Sequence, residues 1–261
     1  TLGCTQIEEV QPGEVIVMQG ASLRRIQAVP AAKVQSRCTF EFIYFSRPDS
    51  EWDGMSVHQV RQQLGERLAK EHPVDADVVI PVPDSSIPAA IGYSRVSGIP
   101  YNDGLIKNRY IARTFIEPSQ ALRERRVAMK FNALSENLRD RRVVVIDDSL
   151  VRGTTAGPLV RLIREAGAAE VHLRITSPPI RHPCFMGVDM GTYDELIAAR
   201  LDPEELRRHV GSDSLEFLSI DGMMTAIASS SGFCTACFSG EYRFPIDVER
   251  VTGEFVKVRG R

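Results

Sequence analysis

The run Arg142-Val-Val-Val-Ile-Asp-Asp148 ends on two adjacent acids, and Ser149-Leu-Val-Arg-Gly-Thr-Thr-Ala-Gly157 follows without a break. Gly153 permits close approach of a ligand to the backbone, Thr154 and Thr155 bring hydroxyls, and the amides that open a following helix point at an anion. Asp147 and Asp148 would repel that anion. They must therefore face something else, such as ribose hydroxyls or a divalent cation, and one loop is equipped to hold both ends of a ribose phosphate.

The second concentration of chemistry-bearing residues is basic. Between Lys107 and Lys130 the cations Lys107, Arg109, Arg113, Arg123, Arg125, Arg126 and Lys130 outnumber the acids Glu117 and Glu124. A segment of that kind suits a polyanion, although a solvated basic surface would read the same way. The third is sulfur. Cys234-Thr-Ala-Cys237 is a C-x-x-C pair, compatible with a metal site, a redox pair or a turn, and Cys38 and Cys184 lie elsewhere in the chain. Five cysteines cannot all pair within one chain, and Cys4 is the odd one out. His58, His72, His172, His182 and His209 are scattered without ligand or triad spacing, so each reads as structural or exposed.

These residues need positioning elements. From about Gly54 to Ile175 amphipathic helical patterns alternate with short β-branched runs, which predicts helices covering a mainly parallel sheet. Val57, Val60, Leu64 and Leu68 share a helical face behind Ser56. Asp77-Val-Val-Ile-Pro-Val82 reads as a strand entering the turn Pro83-Asp-Ser-Ser86, with a helix from Ile87 to about Arg95. The acids end a second strand, a helix from Pro158 to Ala166 carries Leu159, Leu162 and Ile163 on its apolar stripe, and Glu170 to Thr176 reads as the next parallel strand. In such a sheet ligands bind beyond the carboxyl ends of the strands, where Asp147 to Thr155 lies. Further on, Tyr193 to Ala199 and a segment opened by Asp202-Pro203 read as helices, and Leu215 to Ile220 as a strand. Residues 1–53 read as β-rich, with turns at Pro12-Gly13 and Arg47-Pro-Asp49.

With 261 residues, 43% of them hydrophobic, and a net charge of -2, the chain belongs to the globular class and offers no broad electrostatic surface for nucleic acid. No apolar run approaches the roughly 20 residues that cross a bilayer, and the N-terminus lacks the pattern of a signal peptide, so the expectation is cytoplasmic, with no membrane partner. Glu14 to Met18 already reads as a strand and no initiating Met precedes it. The chain is therefore expected to begin inside a larger protein's fold.

Val143-Val-Val-Ile-Asp-Asp-Ser-Leu-Val-Arg-Gly-Thr-Thr155 resembles the phosphoribosylpyrophosphate loop of type I phosphoribosyltransferases. Pro83-Asp-Ser-Ser-Ile87 and Lys107-Asn-Arg-Tyr-Ile-Ala-Arg-Thr-Phe-Ile116 resemble the corresponding segments of the amidophosphoribosyltransferases, and the likeness runs from about Cys38 to Cys237. It implies an α/β type I phosphoribosyltransferase fold, divided as a β-rich segment 1–53 at a junction with an absent glutaminase domain, a core 54–190 and a C-terminal extension 191–261. It also implies transfer of ammonia to C1 of 5-phosphoribosyl 1-pyrophosphate as the first step of purine synthesis.

By the same resemblance Ser85, Asp147 and Asp148 are Mg2+ positions. Asp147, Asp148, Ser149, Arg152, Gly153, Thr154 and Thr155 bind the phosphorylated ribose, and Lys107, Arg109 and Tyr110 serve the departing pyrophosphate. Cys38, Cys184, Cys234 and Cys237 match the ligand positions of members with a [4Fe-4S] cluster, with structural zinc or four unrelated buried thiols as alternatives. Ammonia would come from a glutaminase domain or subunit, purine nucleotides would inhibit, and the chain would form a homo-oligomer. Two other functions fit parts of the pattern: a non-catalytic phosphoribosylpyrophosphate-binding regulator, and phosphoribosyl transfer to a nucleobase.

Overall fold

The computed structural model describes residues 3, 8–108, 130–227 and 232–246. It divides into two units, Thr1–Cys38 with Ser231–Cys234, and Thr39–Ser230 with Thr235–Arg261.

The smaller unit is a β-hairpin and a short ladder. Strands β1 (Glu14–Gln19) and β2 (Ser22–Gln27) pair antiparallel from Glu14↔Gln27 to Gln19↔Ser22, in keeping with the β-rich reading of this segment. Strand β3 (Arg37–Cys38) pairs parallel with a late strand, Phe233–Cys234.

In the larger unit a small hairpin, β4 (Glu51–Trp52) and β5 (Met55–Ser56), leads into helix α1 (Val57–Glu71). Ser56 caps α1 by accepting from the Gln59 amide, and Val57, Val60, Leu64 and Leu68 are buried along it. Strand β6 (Val78–Pro81) and helix α2 (Ile87–Ser97) follow, then an antiparallel pair, β7 (Leu105–Lys107) and β8 (Phe131–Ala133). After the short helix α3 (Ser135–Leu138) come β9 (Arg142–Asp147), α4 (Ala156–Glu165) and β10 (Glu170–Ile175). The last part holds α5 (Ile197–Arg200), α6 (Pro203–Val210), β11 (Ser214–Phe217), α7 (Ile220–Ala226) and α8 (Ala236–Ser239).

Strands β11, β10, β9 and β6 lie in that order in one wholly parallel sheet. Val78 to Pro81 and Val143 to Ile146 are buried throughout, the mark of strands covered on both faces, and this explains why they read as unbroken apolar runs. The interior strand β9 carries the two acids out at its carboxyl end. Register fixes that exit, because Asp147 pairs with Ile175 and its carbonyl accepts from the Thr176 amide.

Helices α1 and α2 meet through two glycines. A Cβ on Gly65 would sit 1.9 Å from the Ala89 carbonyl oxygen, and one on Gly92 would sit 2.0 Å from that of Gln62. Backbone therefore touches backbone, and α2, which starts directly after the Pro83 to Ser86 turn, is held close to α1.

Three sequence expectations need correction. Glu41 to Phe45 forms a π-helical turn rather than β structure, with the Thr39 carbonyl accepting from both the Phe42 and Ile43 amides. The helix expected over Tyr193 to Ala199 is a 3-10 turn, Tyr193–Glu195, followed by the four-residue α5, the two separated by extended backbone at Leu196. The strand expected from Leu215 to Ile220 stops at Phe217, because the Ser219 hydroxyl accepts from the Gly222 amide and starts α7. The helix opened by Asp202-Pro203 is present as α6 and carries a full capping box between Asp202 and Glu205.

Candidate active site

The carboxyl edge of the sheet opens into a cavity of about 810 Å³. Its lining includes Ser85, Lys107, Asp147, Asp148, Ser149, Arg152, Gly153, Thr154 and Thr155, so every described residue expected at the substrate site is brought to it. Arg109 and Tyr110, expected beside Lys107, lie outside the described residues, as do Cys4 and Arg113 to Arg126.

Asp147 and Asp148 form the floor. The Ser85 hydroxyl donates to Asp148 Oδ2 at 2.6 Å, the Ser149 hydroxyl donates to Asp148 Oδ1 at 2.7 Å, and the Asp148 amide donates to Asp147 Oδ1 at 2.9 Å. Burial, and then the neighbouring charge of Asp148, push the Asp147 carboxyl well above the usual carboxylate range. Asp148 is also raised by burial, against the opposing pull of Ser85, Ser149 and the Arg61 cation. Two carboxylates side by side, Asp148 buried and Asp147 partly so, are costly unless a cation or a proton comes between them. Hard oxygen donors of this kind suit Mg2+, which takes one or two carboxylates and fills its other positions with water and substrate phosphates. The donor set fits the metal.

The loop above the acids is shaped at Gly153, whose φ of 68° is in the left-handed region and whose Cβ would meet Ile197 Cδ1 at 2.5 Å. Thr154 and Thr155 are exposed to the cavity. Thr155 occupies the N-cap of α4 without making a side-chain cap, so its hydroxyl and the first amides of a ten-residue helix stand open to an anion. Arg152 lines the cavity and is also tied to the segment beyond it. Its Nη2 donates to the Asp189 carbonyl at 3.1 Å and lies 3.3 Å from Glu195 Oε2, so the side chain anchors the loop to the segment beyond it.

Across the cavity, Lys107 Nζ pairs with Asp84 Oδ2 at 2.5 Å in the turn before Ser85. The peptide joining Pro83 to Asp84 is cis. Lys130 also lines the cavity and acts on Asp147 through its charge.

Sequence reasoning missed Arg61. It occupies the apolar face of α1, is 2% exposed, and lines the cavity. The available signal was a charge one position after Val60 and three before Leu64, where an amphipathic helix should carry none.

The four cysteines are divided between the two units. Cys38 and Cys234 are opposed in register on β3 and β12 (Phe233–Cys234) of the smaller unit. Cys184 and Cys237 belong to the larger unit, where the Arg181 and His182 amides both donate to the Cys237 carbonyl. All four are partly buried thiols. Among the described residues no group of three or more His, Cys, Asp or Glu is placed to hold a metal ion, so the geometry lends the expected [4Fe-4S] cluster no support. The Mg2+ reading is not affected, because it asks for only two carboxylates.

The site and sheet together define a type I phosphoribosyltransferase fold, and residues 56–176 match the phosphoribosyl transferase domain family. Over most of its length the chain is also similar to amidophosphoribosyltransferases. It is 51% identical over 92% of its length to the amidophosphoribosyltransferase of Bacillus subtilis, and 50% identical over 94% to that of Methanothermobacter thermautotrophicus. It covers 52% of each, so the chain spans about half the length of the curated relatives it matches. A solved structure of glutamine phosphoribosylpyrophosphate amidotransferase from B. subtilis, complexed with ADP and GMP, superposes with a TM-score of 0.80 at 51% identity, over 92% of this chain and 54% of that one. Among the described residues no helix is long and apolar enough to cross a membrane.

Proposed function

We propose that this chain carries the transferase half of an amidophosphoribosyltransferase: it binds 5-phosphoribosyl 1-pyrophosphate and exchanges the pyrophosphate at C1 for ammonia, giving 5-phosphoribosylamine. The observation that carries the reading is the juxtaposition of the Asp147–Asp148 pair with the open N-terminus of α4 in one cavity. Ser149 to Thr155 receive the 5-phosphate through amides and hydroxyls, while Asp147 and Asp148 face the ribose side. Lys107 stands where the departing pyrophosphate needs positive charge, and Arg109 and Tyr110 are assigned to the same task by their place in the sequence. Ser85, Asp147 and Asp148 would hold Mg2+, which when bound supplies charge neutralisation for the leaving group. Ammonia is itself a nucleophile, so the chain needs no nucleophilic side chain.

The rest of the relatives' length is the natural source of ammonia, with residues 1–53 as the junction, 54–190 as the core and 191–261 as an extension on it. Inhibition by purine nucleotides fits the ADP and GMP in the B. subtilis structure, and a homo-oligomer and a cytoplasmic location belong to the same reading by family resemblance. For the four cysteines, [4Fe-4S] ligation rests on the resemblance of their positions to those of cluster-bearing family members, not on their geometry. Iron and sulfide analysis of protein purified without oxygen decides between the cluster, zinc and bare thiols.

Pyrophosphate release from phosphoribosylpyrophosphate with Mg2+, measured with ammonia, glutamine or no amine, tests the main reading. Release that requires ammonia is the expected result; binding without release under all three conditions would make the chain a sensor instead.

A further inference from the structure

Arg61 is nearly inaccessible, yet its guanidinium makes two hydrogen bonds to main-chain carbonyls rather than to a carboxylate: Nε donates to Phe42 O at 2.7 Å, and Nη2 to Ser46 O at 2.8 Å. Both carbonyls lie in the turn Glu41–Phe45 or directly after it, and residues 40 and 44–48 form one wall of the cavity. Phe40, Phe42 and Ile43 anchor the segment in the core, but its cavity-facing tip, with Tyr44 and Phe45 at 42% and 48% exposed, is held less by burial and more by hydrogen bonds. A second chain of bonds ties it down from the other side: Trp52 Nε1 donates to Ser46 Oγ at 2.8 Å, and Ser46 Oγ donates to Glu41 Oε2 at 2.6 Å. Arg61 lies one helical turn before Gly65 on the same face of α1, and Gly65 seats that helix on α2.

We propose that Arg61 is a positioning residue: it clamps the wall formed by residues 40–48 to α1, and through that wall sets how tightly the cavity holds a phosphorylated ribose. The second half of this proposal rests on the phosphoribosylpyrophosphate reading, whereas the first does not. Arginine suits the task because its planar fork reaches two carbonyls at once, which a lysine ammonium on a flexible stem does not reproduce. Burying a guanidinium is expensive, and the two short hydrogen bonds to the Phe42 and Ser46 carbonyls offset that cost.

The chain contains one tryptophan, Trp52, so its emission reports on this wall without added label. The test compares the whole chain with Arg61→Lys and Arg61→Met by amide hydrogen exchange over residues 40–48, Trp52 emission, and the dissociation constant for phosphoribosylpyrophosphate with Mg2+ in the absence of amine. In Arg61→Lys, exchange at residues 42–46 should accelerate about tenfold while β9 and β10 keep wild-type protection. The Trp52 emission should shift, the dissociation constant should rise about tenfold, and kcat at saturation should change less than about twofold. Arg61→Met should go further in the same direction; if it does not fold, the lysine variant decides. Unchanged exchange in Arg61→Lys overturns the clamp, and faster exchange with unchanged affinity overturns its link to the substrate. Should the wild type release no pyrophosphate, the transferase reading fails, and exchange and Trp52 emission still judge the clamp.

Discussion

The two ends of strand β9 handle charge in opposite ways. At its start Arg142 bonds Asp77 at 2.8 Å and also pairs with Asp75, all at the surface, and the Arg142 guanidinium holds the Asp77 carboxyl down at about 2. At its far end Asp147 and Asp148 set like charges side by side, Asp148 buried and Asp147 partly so, and both carboxyls are raised. Opposite charges in water add little and cost little. Like charges in a cavity oppose folding, and such an arrangement marks a place where the chain serves a ligand before it serves its own stability.

Asp148→Asn should sharpen this contrast most. Pyrophosphate release should fall at least about 100-fold, the scale of losing a group that acts on transition-state charge. The melting temperature should stay level or rise, because one of two repelling charges is gone; a fall in both would mean that Asp148 supports the fold.

Gly65→Ala should come next, with the loss in stability rather than chemistry. The added methyl meets the Ala89 carbonyl, and overpacking of a close contact costs about 3 kcal/mol, readable by denaturant unfolding.

The pH dependence of stability should then separate the two ends by sign. Asp147 and Asp148 have raised folded pKa values, so their contribution is most favourable below the ordinary carboxylate pKa of 3.8 and is lost as pH rises through the raised values. Asp77 behaves in reverse: its stabilisation is present above 3.8 and is lost as pH falls toward about 2. Melting curves across this range with and without Mg2+ should show the first slope flattened by the metal and the second untouched. The smallest effect belongs to Asp77→Asn, which should leave pyrophosphate release at the wild-type rate and move the melting temperature barely beyond error, since Asp77 is exposed and screened.

The β9, loop and α4 unit was legible in the sequence because its signals are local: a buried strand, a paired acid and a glycine loop are contiguous, and the elements fall within two residues of their expected ends. Contacts distant in sequence were not. Ser85 reaches Asp148 across 63 positions, and only the resemblance of its segment linked the two. Arg61 was hidden because periodicity assigns the face of a helix and not the carbonyls that face will meet. Glu41 to Phe45 failed for a related reason: a run of aromatic residues reads as strand until the Thr39 carbonyl captures two amides and coils it. Leu215 to Ile220 failed because a serine cap outweighed the β-branched residue beyond it.

Gly65 and Gly92 also bear on how this sequence can change. Each is filled by the other helix's main chain, so neither position can accept a side chain, however small, while the other helix stays where it is. No compensating cavity elsewhere would make room, because the obstacle is a carbonyl rather than a side chain that could be trimmed. Diversification of α1 and α2 is thereby confined to their outward faces, and any graft of the Pro83 to Ser86 turn into another scaffold must bring this two-glycine crossing with it or lose the address of Ser85.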